Sequence, residues 1–363
     1  MFGSFYHHRK NAGVRGAVAQ TVRPLLTALL VISLGTANMA AAQAPEELKK
    51  LTTLCQAGTM WGCSLLGVKY HTGVGVTQDV TKAMEFYRQA CDGQFAEGCN
   101  NLGVLYDNGE GVTQDAVKAM EFYRQACDGK YGEACVNLGV KYHTGAGVTQ
   151  DVAKAGELYR QACEGQFAEG CFDLGTMYAS GHGVTQDAVK AMEFYRQACD
   201  GKYATGCFSL GWMYDSGAGI TRDIAKAVVF YRQACDQQHA MGCFNLGWMY
   251  DSGHGLTEDA VKAMEFYRHA CDGKYAAACN NLGVKYHTGA GVTQDVTKAV
   301  ELYRQACDEK YAAACFNLGA MHELGKGVQQ SVADAGLFYG KACDLKEPQG
   351  CAQAARIKAQ NNR

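Results

Sequence analysis

Residues 99–134 read CNNLGVLYDNGEGVTQDAVKAMEFYRQACDGKYGEA, and closely related stretches fill the positions before and after it without one insertion or deletion. Eight such units run 63–98, 99–134, 135–170, 171–206, 207–242, 243–278, 279–314 and 315–350. A fixed period of 36 residues is decided by supersecondary structure, not by local propensity. The quoted unit divides at Gly109-Glu110-Gly111. Before it, Cys99, Leu102, Gly103 and Tyr106 fall on one face of an amphipathic helix, helix A. After it, Thr113 or Asp115 can cap a second helix, B, whose buried stripe is Ala116, Ala119, Met120, Tyr123 and Cys127. Asp128-Gly129 supplies the stop.

A pair of helices cannot bury both its faces alone, so each unit must stack on the next. The expected fold is all-α, a right-handed α-solenoid, with end caps at 43–62 and 351–363. Pro24, Pro45 and Pro348 are the only prolines, so residues 46–347 hold no helix-breaking ring. Gly103 recurs in every unit, from Gly67 to Gly319. A mid-helix glycine costs about 1 kcal/mol relative to alanine, which close approach of a neighbouring helix would offset.

Charge is nearly balanced, 34 Lys and Arg against 36 Asp and Glu, with no basic run to hold nucleic acid. Residues 1–42 read as an export signal: Arg9, Lys10, Arg15 and Arg23, then the apolar run Leu25 to Leu34, then Ala40-Ala41-Ala42 as the cleavage site. Removing them leaves 30 basic and 36 acidic groups, a formal charge of −6, and no membrane span. The expected location is secreted or periplasmic.

The cysteines fall in nine pairs, each eight positions apart: Cys55 and Cys63, Cys91 and Cys99, Cys127 and Cys135, Cys163 and Cys171, Cys199 and Cys207, Cys235 and Cys243, Cys271 and Cys279, Cys307 and Cys315, Cys343 and Cys351. Structural zinc wants thiolates two to four residues apart and four ligands at a point. Here each pair stands alone, and with an export signal the expectation is a disulfide stapling the end of helix B to the next helix A. Each is worth about 2.5 kcal/mol by loop entropy. No metal and no cofactor are expected.

The unit with Leu-Gly, Tyr, Gly-x-Gly-Val, Asp, Lys-Ala, Tyr-Arg and Ala-Cys resembles the Sel-one-like repeat, a relative of the tetratricopeptide repeat. The paired cysteines make it similar to the Helicobacter cysteine-rich proteins, a resemblance that covers residues 55–351. It implies a weak β-lactamase or penicillin-binding activity. The residues supply no mechanism for one: no Ser has Lys three positions on, Ser-Asp-Asn and Lys-Thr-Gly are missing, and no two histidines form His-x-His or His-x-x-x-His. His71, His143 and His287 share one phase of the repeat with Asp107, Asp215, Asp251 and Glu323, while His182 and His254 share another. These ladders read as polarity of the loop between helices A and B.

Positions that vary on a near-constant scaffold are free to carry specificity, and they concentrate on helix A. With Cys, Leu, Gly and Tyr facing the core, the second, third, sixth and tenth positions are expected to point outward. The second position supplies Phe172, Phe208, Phe244 and Phe316, and the sixth Trp212 and Trp248, so Phe208 with Trp212 and Phe244 with Trp248 form an aromatic patch. The third supplies Asn101, Asn137, Asn245, Asn281 and Asn317. The resemblance implies that A helices line a concave surface, where these amides could bond an extended peptide. At the seventh position Lys69, Lys141 and Lys285 alternate with Met177, Met213, Met249 and Met321, suggesting a groove with basic ends and an apolar middle. The Tyr-Arg pair of helix B, as in Tyr123-Arg124, reads as packing between repeats. The function expected is a scaffold binding peptides, partner proteins or cell-wall fragments, with β-lactam hydrolysis as the alternative.

Overall fold

The computed structural model describes residues 37–361; the expected export signal lies outside them except for its last six positions. Among the described residues there are only helices, with no strand: α1 (Ala37–Gln56), α2 (Met60–Thr72), α3 (Val80–Asp92), α4 (Ala96–Asn108), α5 (Ala116–Asp128), α6 (Gly132–Thr144), α7 (Val152–Glu164), α8 (Ala168–Ser180), α9 (Ala188–Asp200), α10 (Ala204–Ser216), α11 (Ile224–Asp236), α12 (Ala240–Ser252), α13 (Ala260–Asp272), α14 (Ala276–Thr288), α15 (Val296–Asp308), α16 (Ala312–Leu324), α17 (Val332–Asp344) and α18 (Pro348–Asn361). Even-numbered helices from α2 are A helices and odd-numbered ones from α3 are B helices. The chain divides into two compact units, up to Phe194 and from Tyr195 onward, a boundary inside α9. Within each, helix pairs stack in tandem, the α-solenoid architecture.

The expected helix faces hold for the core. Cys99, Leu102, Gly103 and Tyr106 of α4 are buried, as are Ala119, Met120, Tyr123 and Cys127 of α5, while Ala116, at the first position of α5, is only half-buried. Asp115 is the cap, its Oδ1 accepting from the Val117 and Lys118 amides at 3.1 and 3.0 Å. The glycine at 103 answers to a ring in its own unit: a Cβ there would stand 2.6 Å from Tyr123 Cδ1. That close approach recurs between Gly139 and Tyr159, and between Gly211 and Tyr231, at the same 2.6 Å.

The stop of helix B differs from the Asp-Gly signal. Gly129 has φ −72°, and the left-handed residue is Lys130, φ 63°, whose amide bonds the Cys127 carbonyl at 2.8 Å. Gln94, Gln166, Lys202, Gln238, Lys274, Lys310 and Lys346 take the same place in the other linkers. Each linker lies inside a disulfide loop, which over-determines the turn without glycine.

All nine expected bridges form, from Cys55–Cys63 to Cys343–Cys351, and no cysteine is free. Their Cα atoms stand 4.4 to 4.7 Å apart. Bridges at this density belong to an oxidising, non-cytoplasmic compartment. No helix among the described residues is long and apolar enough to cross a membrane.

Candidate functional site

Along the A helices the third and sixth positions are mostly half-buried or exposed, whereas at the second Phe172 and Phe208 are buried and Phe244 and Phe316 half-buried. Phe208 is 9% exposed, its ring 5.8 Å from Tyr231 and 4.8 Å from the imidazole of His239. Phe244 lies 5.7 Å from Tyr267 and 4.9 Å from Tyr275, and Phe316 5.4 Å from Tyr339. Asn100 and Val136 are buried at the same phase. The second position therefore leans toward helix B and the following linker, which takes Phe172 and Phe208 out of the expected outward patch and leaves Phe244 and Phe316 half-buried. The physical reason is stacking: a helix wedged between repeats buries a wider arc than the Cys-Leu-Gly-Tyr stripe alone.

Trp248 remains outward, 43% exposed and 5.2 Å from His254, with Trp212 half-buried one repeat earlier and Val284 exposed one repeat later. Asn245, Asn281 and Asn317 are half-buried on consecutive A helices of the second unit, as are Asn101 and Asn137 in the first. Some amides are already engaged across repeats. Asn137 Nδ2 donates to Asn100 Oδ1 at 3.1 Å, and Asn317 Nδ2 to Asn280 Oδ1 at 2.9 Å.

The seventh position is no groove. Met177, Met213, Met249 and Met321 are buried between repeats. Lys141 and Lys285 reach back instead to Asp107 and Asp251 of the preceding repeats, and Lys69 lies 3.2 Å from Glu47. Largely buried ammonium groups need such partners, so this position alternates between an apolar filler and an ion pair.

The loop histidines are also tied in. His71 Nε2 lies 2.8 Å from Glu110 Oε2 and His254 Nε2 3.0 Å from Asp215 Oδ1, each pair linking successive repeats. His143 and His182 face one another with ring centroids 4.9 Å apart. His239 caps α12, Nδ1 accepting from the Gly242 amide at 3.2 Å, and burial pulls its pKa down to about 4. The Tyr-Arg pair packs between repeats: Tyr123 is buried, while Arg124 Nη2 donates to Tyr142 Oη at 3.2 Å.

One feature of the A helices escapes a position-by-position sequence reading. Glu97, Glu133 and Glu169 stand in the first turns of α4, α6 and α8. Burial, then the charge of Glu169, pushes Glu133 up to about 7, against the polar groups of Tyr131 and Asn100. The signal lay in the first turns of these helices, which read AEGC, GEAC and AEGC between residues 96 and 171 but ATGC, AMGC, AAAC and AAAC after residue 171.

The Sel1 repeat family matches residues 62–95, 96–131, 132–167, 168–203, 204–239, 240–275, 276–311 and 312–347. A protective antigen of uropathogenic Escherichia coli displaying an SLR fold is similar at 29% identity over 86% of this chain and 67% of that one, TM-score 0.69. A Sel1 repeat protein from Oxalobacter formigenes shares the fold at 22% identity over 90% of this chain and 95% of that one, TM-score 0.67. Cysteine rich protein B of Helicobacter pylori is 31% identical over 37% of this chain and 97% of that one, TM-score 0.31. No curated protein matches.

Proposed function

The chain belongs to the Sel1 repeat family, and from that membership we propose that it is an exported, disulfide-stapled scaffold that holds extended segments of partner proteins on the outward side of its A helices. A protein-binding role fits the family and the bridged architecture. Cell-wall fragments are a further ligand class for the same surface. Export is supported by the leader at 1–42 and by nine bridges that need an oxidising compartment.

The observation that carries the reading is Trp248. An indole 43% exposed on α12, flanked by the half-buried Trp212 and the exposed Val284 of the neighbouring repeats, is the kind of anchor that dominates protein interfaces; Trp61 on α2 and Leu324 on α16 are exposed as well but have no such neighbours at the same phase. Asn245 lies one turn before it on α12, and an amide offers both a donor and an acceptor to a peptide backbone. The ligand-binding set proposed from the sequence thereby narrows to Trp212, Trp248 and the asparagines.

The test is to select displayed peptides on the oxidised chain and measure each against Trp248→Ala. Peptides that bind the parent and lose affinity at least about tenfold on the variant support the reading. A peptide set that binds both proteins equally overturns the choice of surface.

A further inference from the structure

In every repeat but the last, a lysine in the first turn of helix B stands over a tyrosine of helix A, and two repeats do this differently from the rest. Phe122, one turn after Lys118, stacks on Tyr106 with ring centroids 5.6 Å apart. The lysine then stands off, its Nζ 5.5 Å from the Tyr106 centroid, and pairs with the helix cap Asp115 at 3.5 Å. Lys82, Lys190, Lys226 and Lys262 keep the same pairing, each beside a phenylalanine stacked on its tyrosine. Leu158 and Leu302 replace that phenylalanine. There Lys154 closes to 4.4 Å over Tyr142 and Lys298 to 4.6 Å over Tyr286. Their caps, Asp151 and Asp295, accept only from the backbone amides of these lysines.

The arginine of the preceding helix B completes each group. Arg124 Nη2 donates to Tyr142 Oη at 3.2 Å and Arg268 Nη2 to Tyr286 Oη at 3.3 Å. Arg196 and Arg232 lie over the rings of Phe230 and Phe266 one repeat on, at 5.4 and 5.5 Å, whereas leucine offers Arg124 and Arg268 no such ring. Among the described residues none of Arg124, Lys154, Arg268 and Lys298 forms an ion pair, although Glu121 shares α5 with Arg124 and Glu157 shares α7 with Lys154. A hydrogen bond from Lys154, then one from Arg124, hold the Tyr142 hydroxyl below the usual tyrosine range despite some burial. At Tyr286 burial pushes the other way, but Lys298 and Arg268 outweigh it. A hydroxyl that accepts from two cations has its own proton left to donate, and among the described residues no acceptor takes it.

We propose that Arg124, Tyr142 and Lys154 form a binding site for a phosphate group, and that Arg268, Tyr286 and Lys298 form a second of the same design. Two cations match the charge of a phosphate monoester, about −1.5 to −2 at pH 7, and free phosphate shares that chemistry. The guanidinium fork can take two of its oxygens while the ammonium and the hydroxyl take the others, donors that a carboxylate with one charge and two oxygens would leave unused. The arginines and lysines are exposed, so a ligand reaches them, and Tyr142 and Tyr286, each 6% exposed, form the floor. The first site lies wholly in the unit before Phe194 and the second wholly in the unit after it. Both are built on the eighth position of helix A and on helix B, so they stand or fall independently of Trp248.

The probes are inorganic phosphate and phenyl phosphate, titrated by calorimetry into the full oxidised chain at constant ionic strength, with succinate as the dianion control. The expected result is saturable binding of the phosphate probes at two sites per chain, and weaker binding of succinate. Leu158→Phe/Leu302→Phe keeps every charge and installs the residue that six other repeats carry, so the variant should fold with the parental Tm. It should return Lys154 and Lys298 to their caps and weaken phosphate binding at least about fivefold. A surface that attracts anions by charge alone would not respond to this change. Lys154→Met/Lys298→Met, which removes the ammonium groups, should weaken binding at least as much. Tighter binding of phenyl phosphate than of inorganic phosphate assigns the sites to phosphate esters, and the reverse order to the free ion. Binding of succinate as tight as that of phosphate overturns the choice of ligand. No saturable binding of either phosphate probe, or equal affinity of the parent and the double phenylalanine variant, overturns the sites themselves.

Discussion

Gly103 faces the ring of Tyr123 so closely that a Cβ on residue 103 would stand 2.6 Å from both Cδ1 and Cε1 of the ring. Helix A therefore leans on helix B with only the Tyr123 ring between them at this point, and that ring fills the space that any residue larger than glycine would claim. Gly103→Ala gains about 1 kcal/mol of helix propensity but overpacks a buried ring. The expected net is a loss of about 1–2 kcal/mol, read as a lower denaturation midpoint in urea. With Tyr123→Leu as the second change the losses should be less than additive, because one steric conflict is being counted twice.

Lys130 holds a left-handed backbone, φ 63°, in the linker closed by Cys127–Cys135. A non-glycine residue there costs about 1 kcal/mol relative to glycine. Lys130→Gly should stabilise the oxidised protein by about 0.5–1 kcal/mol, since the turn already has its hydrogen bonds. A thermal scan showing a lower Tm for the variant would contradict the assignment of the strain.

The pair Lys141–Asp107 joins consecutive repeats through largely buried side chains. Asp107→Asn leaves the ammonium without its counter-charge and should cost about 1–3 kcal/mol. Adding Lys141→Met should recover most of that loss, because Met177 fills the same position of the next repeat in a buried setting. Urea denaturation of the single and double variants checks both steps.

Glu133 links stability to pH. It faces Tyr131 on its own linker, Glu169 and Glu97 on the flanking A helices, and Asn100 of α4. Its folded pKa, about 7, lies above the ordinary 4.5, so between those values the folded chain holds a proton that the unfolded chain has released. Stability then falls as pH rises through that window. Tm should drop from pH 5 to pH 8, and Glu133→Gln should flatten the decline.

Most of the fold was legible because the same solution is written eight times. The spacing of Cys127 and Cys135 identified the bridge, and the Cys99, Leu102, Gly103, Tyr106 stripe identified the core face. The surface was less legible. Phe208 and Phe244 share a helix with Trp212 and Trp248, yet the phenylalanines pack toward Tyr231 and Tyr267 while Trp248 does not turn inward. That distinction depends on how far one repeat wraps over the next, which periodicity within a single helix does not encode. The same stacking turned Lys141 from a groove residue into half of an ion pair with Asp107.

The central claim, that partners dock on the outward side of the A helices, is tested most directly by hydroxyl-radical footprinting of the oxidised chain with and without a peptide selected on it. Trp248 should be oxidised readily in the free protein and protected when the peptide is bound, while Phe208, already buried, should react little in either state. Unchanged oxidation of Trp248 at saturating peptide would contradict the account.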